Sequence, residues 1–143
     1  MSDRSGSTRE VAWVAGVGES AGLGAALARR FAQGGLHVAV SGRTPQRLET
    51  IVAEIREAGG SAFAVPLDLA QEAEVLAAIA KIGAAGQLSA AIFNAGSFDR
   101  APSLELSAAT FESAWRVNTL GAFLFGRESL RVGRHGGSAR PTG

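Results

Sequence analysis

The sequence contains no cysteine, so a disulfide framework and a thiolate metal site are both excluded. It contains no tyrosine either, which removes the phenolic acid–base group from the catalytic repertoire. Lysine occurs once, at Lys81, and the other thirteen basic side chains are arginine. The two histidines, His37 and His135, are too few and too far apart for a zinc site, and no metal is expected. Charge of either sign is scarce. A formal net charge of +1 implies no polyelectrolyte partner, so nucleic acid is not expected. No apolar run approaches the length of a membrane span, and residues 1–9 have no apolar signal core. No membrane association is expected, and a cytoplasmic location is the default.

What is present describes one globular domain. The chain has 143 residues, 46% of them hydrophobic and 19% charged. Its organising stretch is residues 11–24. An apolar run, Val11 to Ala15, reads as a buried parallel strand. Glycines follow at 16, 18, 22 and 24, and then Ala-Ala-Leu-Ala-Arg-Arg-Phe-Ala reads as a helix with Leu23, Leu27 and Phe31 on its apolar face. Strand, glycine turn and helix form the opening unit of a dinucleotide-binding fold. Bare backbone there lets a pyrophosphate approach, and the helix directs free N–H groups toward it. The spacing fits Gly18-x-x-x-Gly22-x-Gly24. A glycine-rich structural turn without a ligand would fit as well.

The remainder alternates in the same way. Leu36–Val40 is a second strand. Thr44 and Pro45 open a helix with the stripe Leu48, Ile51, Val52 and Ile55. A third strand spans 62–65. A third helix runs from about 71 to 83 with Val75, Leu76 and Ile79 inward. A fourth strand spans 88–93, and Ser107 caps a long helix that fades near Leu130. The expected fold is α/β, a Rossmann-like doubly wound parallel sheet of order 3-2-1-4, left incomplete. Residues 1–9 and 131–143 are expected to be tails around a 10–130 domain. Trp13 and Trp115 read as core or interface residues.

Arg43 lies just past the second strand, where a dinucleotide fold reads the adenosine ribose. No acid occurs between Val38 and Gln46 to bond the ribose hydroxyls, and a guanidinium suits a 2′-phosphate. NADP is therefore favoured over NAD, although a solvated surface arginine fits the position too. Asp68-Leu69 follows the third strand, Phe93-Asn94-Ala95-Gly96 ends the fourth, and Trp115-Arg116-Val117-Asn118-Thr119-Leu120-Gly121 lies in the long helix. Taken singly, Asp68 could be a turn residue, Asn94 a strand-end group and Asn118 a buried polar side chain with a local partner.

Together, in this order, these segments resemble the short-chain dehydrogenase/reductase family. The resemblance implies hydride transfer between a nicotinamide dinucleotide and a carbonyl or secondary alcohol. It implies cofactor contacts at Gly18, Ser20, Ala21, Gly22, Leu23, Gly24, Arg43, Asp68, Leu69, Asn94, Ala95 and Gly96. It makes Asn118 a catalytic remnant, because the family's Tyr-x-x-x-Lys pair and its serine have no counterpart here. The pattern departs near residue 131, where the arginine- and glycine-rich ending reads like a GC-rich gene out of frame. The expectation is the N-terminal half of a family member, truncated or frameshifted, keeping cofactor binding without turnover. A non-catalytic nucleotide-binding or dimerisation module is the alternative. Self-association would use the 107–130 helix or an open fourth-strand edge.

Overall fold

The computed structural model describes residues 8–135; the expected tails fall largely outside that range. Strand β1 (Glu10–Ala15) is central. It is followed by α1 (Leu23–Gln33), β2 (His37–Ser41), α2 (Pro45–Glu57), β3 (Ser61–Ala64), α3 (Glu72–Ala85) and β4 (Gln87–Phe93). A long helical segment then runs from α4 (Ala108–Trp115) through a π-helical turn (Arg116–Gly121) into α5 (Ala122–His135). The sheet is parallel, in the order β3-β2-β1-β4.

β1 explains the arrangement. Val11 to Ala15 are all fully buried, because helices cover both faces of the strand. Alternation sends Val11, Trp13 and Ala15 to one face with Val75, Ile79, Ile82 and Phe125. Ala12 and Val14 face the other side, with Ala25, Ala28, Leu48, Ile51 and Val52. Each large aliphatic side chain buried this way contributes about 1.5–3 kcal/mol.

Three packing expectations are corrected. On α1 the inward face is Gly24, Ala25, Ala28 and Ala32, while Leu23 is 65% exposed. Small residues let the helix lie close on β1 and β2, so the larger side chains fall to its flanks. On α3, Leu76 is exposed and Ala78 and Ile82 take the inward positions. The long helix does not fade at Leu130 but continues to His135. Its Phe125 is buried, with its ring 4.3 Å from that of Trp13. Trp115 and Phe123 are exposed, so Trp115 is not a core residue of this chain. The Trp13 indole N–H donates to the Ser41 hydroxyl at 2.8 Å, which satisfies a polar group in the core.

Candidate cofactor cleft

A cleft of about 330 Å³ opens beyond the C-terminal ends of the strands. Crevices there, at the switch in strand order, are where open α/β sheets take ligands. Its walls come from every segment singled out above. Gly16, Val17 and Gly18 leave β1; Gly42, Arg43, Thr44 and Arg47 leave β2; Leu67, Asp68 and Leu69 leave β3; residues 94–97 leave β4; and Val117 comes from the π-helical turn.

Backbone packing defines the glycine turn. The Gly16 and Val17 N–H groups both donate to the Ser41 carbonyl, each at 2.9 Å, tying β1 to β2 at the cleft floor. Gly16 has φ +93°, and a Cβ there would lie 2.5 Å from the Asn94 carbonyl carbon and closer still to the Ala95 nitrogen. A Cβ on Gly24 would collide with the Gly16 carbonyl, so α1 packs against the turn only as glycine. Gly18 has nothing within 4 Å of where its Cβ would be. The anchoring first glycine is therefore Gly16, not the Gly18 of the sequence pattern. Five residues separate it from Gly22 where Gly-x-x-x-Gly has three.

The enlarged turn is held by side chains. The Ser20 hydroxyl donates to the Glu54 carboxylate at 2.8 Å, and Arg29 bridges the Ser20 carbonyl and Glu54 at 2.8 and 2.6 Å. Hydrogen bonds from Arg29 and then Ser20 hold the Glu54 carboxyl below its ordinary pKa, against a smaller opposing effect of burial. Ser20, Ala21, Gly22, Leu23 and Gly24 do not line the cleft itself. The first turn of α1 has no side-chain cap.

Arg43 stands at the rim, and among the described residues no hydrogen bond or ion pair engages its side chain. Arg47 pairs with Glu19 across the mouth at 3.5 Å. Asp68 lines the cleft while its carboxylate accepts the Ala70 N–H at 3.0 Å, so it also sets the turn. Asn94 donates to the Gly16 carbonyl at 3.0 Å and its own N–H donates to the Ala15 carbonyl. Asn118 clamps Ser97 from both sides: its Oδ1 accepts the Ser97 N–H at 2.9 Å and its Nδ2 donates to the Ser97 carbonyl at 2.8 Å. The π-helical turn places Asn118 there, and the same turn brings Val117 to the cleft.

The profile of the short chain dehydrogenases matches residues 11–139. The chain belongs to this family. A dehydrogenase/reductase is thus the class of protein to which the cleft is to be related. The chain is 30% identical over 116 residues to a 2-dehydro-3-deoxy-D-gluconate 5-dehydrogenase of Formosa agariphila, covering 80% of this chain and 44% of that one. Among solved structures, a short-chain dehydrogenase from Rhodopseudomonas palustris superposes with a TM-score of 0.84 at 34% identity, over 90% of this chain and 60% of the other. An actinorhodin polyketide ketoreductase variant solved with NADPH gives 0.81 at 30% identity, over 87% and 48%. The chain thus spans about half the length of the curated relatives it matches. Members of the family bind NAD(P), and the cleft is suited to such a ligand: open space over Gly18, an unengaged guanidinium at the rim and a carboxylate after β3.

Sequence reasoning missed Gly16, Val17, Gly42, Thr44, Arg47, Leu67, Ser97 and Val117 as cleft residues. Two signals could have found some of them. Gly16 is the first glycine after the apolar strand, and Arg47 falls four positions past Arg43. Among the described residues no cluster of three metal-ligating side chains occurs, and no helix is long and apolar enough to cross a membrane.

Proposed function

We propose that this chain binds NADP(H) in preference to NAD(H), and that it does not complete hydride transfer by itself. The observation that carries the preference is Arg43, an unengaged guanidinium at the rim after β2 where an acid would select a free ribose. Asp68 and Leu69 would face the adenine side, and Asn94 to Gly96 would flank the cofactor along the floor. The cofactor supplies the hydride chemistry, while the chain's own residues bind and orient it. Support for the lack of turnover is the absence of tyrosine, together with the position of Lys81 on α3, where it donates to the Ala64 carbonyl. No phenol–lysine pair is available to move a proton at the substrate oxygen.

Titration calorimetry with 2′,5′-ADP and 5′-ADP tests the preference. Arg43→Ala should weaken the 2′-phosphorylated ligand about 10-fold, the scale of one charged hydrogen bond, and the other less than about 2-fold. Equal weakening of both ligands, or no NADPH binding by the purified chain, would overturn the reading. NADPH oxidation across a ketone panel tests the rest: any rate abolished by Arg43→Ala refutes the inactive assignment.

A further inference from the structure

The two arginines at the cleft rim differ in state. Among the described residues Arg43 is unengaged, whereas Arg47 is paired with Glu19 of the enlarged turn. The turn is braced, since Ser20 is tied to Glu54 and Arg29 holds both. Glu19 adjoins this brace, and its carboxylate lies 3.5 Å from Arg47 in the first turn of α2. An anion entering beside Arg43 meets a second guanidinium already occupied by an internal carboxylate.

We propose that Arg47 is a second reader of the cofactor's 2′-phosphate and that Glu19 competes with the phosphate for it. This rests on the reading that Arg43 takes that phosphate. The exchange is favourable in direction, because a phosphate monoester carries more than one negative charge and three acceptor oxygens against a single carboxylate charge. It is also self-limiting. Glu19 left behind repels the incoming phosphate, and Arg47 must give up an existing partner. The pair thus sets how strongly the cleft discriminates between phosphorylated and free ribose. It has no stake in the rest of the dinucleotide.

The test is a double-mutant cycle on the full chain, with 2′,5′-ADP and 5′-ADP as probes. Both pair members are largely exposed, 53% for Arg47 and 76% for Glu19, so modest effects are expected. Glu19→Gln should tighten 2′,5′-ADP about 2- to 4-fold and leave 5′-ADP unchanged. Arg47→Ala should weaken 2′,5′-ADP by about 3- to 5-fold, and in that background Glu19→Gln should have no effect. Glu57→Gln, at the far end of α2, makes the same change in net charge and should leave both ligands unchanged. A Glu19→Gln variant that binds both ligands more weakly would show a purely structural pair and overturn the proposal. So would Glu57→Gln matching Glu19→Gln, which would reduce the effect to the overall field. If Arg43→Ala abolishes discrimination while these variants do not alter it, this inference fails and the cofactor reading stands. If Arg43→Ala changes nothing, the cofactor reading itself has failed.

Discussion

One methyl group distinguishes Gly16 from Gly18 in the β1–α1 turn. Gly16→Ala places a Cβ against the Asn94–Ala95 backbone, at a φ of +93° that an L side chain rarely adopts. The conformational part costs about 1–3 kcal/mol. The overpacking adds about 1–3 kcal/mol more, because the atoms met are backbone and cannot rotate away. The sum, roughly 2–6 kcal/mol, compares with a total stability of about 5–15 kcal/mol for a typical domain. With a urea slope of about 2 kcal/mol/M, the unfolding midpoint should fall by about 1–3 M, or the chain should fail to fold. Gly18→Ala meets nothing within 4 Å and has no positive φ, so its midpoint should move by less than about 0.5 M. The assay is urea denaturation followed by tryptophan fluorescence, in which the buried Trp13 changes environment more than the exposed Trp115, without cofactor. Equal losses at the two positions would refute the assignment of Gly16 as the anchor.

Three further outcomes are expected. Phe125→Ala removes a ring packed on Trp13 and Phe93 and should cost about 3–5 kcal/mol in the same denaturation experiment, with Phe123→Ala, on the exposed flank, costing under about 1 kcal/mol. The Glu54 carboxyl titrates below its ordinary 4.5, so its contribution to stability is complete above that value and is lost as pH falls through the lower folded value. Carbon-detected NMR should show Arg29→Ala raising the Glu54 pKa; an unmoved titration would refute the role of the Arg29 bond. Burial first, and then the Arg9 charge, lower the His37 pKa from 6.5 despite its hydrogen bond with Ser61. The unfolded chain therefore takes up that proton before the native one, and stability should decline as pH falls from about 6.5. His37→Gln should flatten this part of the profile, and an unchanged slope would count against it.

The strand order was legible because its signals are local and repeated. Apolar runs of strand length alternate with helical stripes, and glycine stops such as Gly34-Gly35 and Gly59-Gly60 separate them. Arg43, Asp68 and Asn94 to Gly96 could be placed at the cleft because each lies in the loop that leaves the C-terminal end of a strand. What failed depends on contacts distant in sequence. Periodicity says that α1 has an apolar face, but only the close approach of β1 and β2 decides that alanine, not leucine, fills it. The glycine spacing points to Gly18 as the first anchor, and only the approach of residues 94 and 95 makes it Gly16 instead. The reach of Glu19 to Arg47 and the clamp of Asn118 on Ser97 leave no local mark at all.

The Asn94 bond to the Gly16 carbonyl joins groups 78 positions apart, while the Trp13–Ser41 bond spans 28. Loop-closure entropy, which grows with sequence separation, favours the β1–β2 pairing before the docking of β4. The floor of the cleft is shared between the two events. Its β1–β2 side exists as soon as Gly16 and Val17 find the Ser41 carbonyl, but Asn94 to Ser97 arrive only with the last strand. Recovery of ligand binding after a jump out of denaturant would then wait for the docking of β4, and so would the burial of Trp13, whose ring packs on Phe125 of α5.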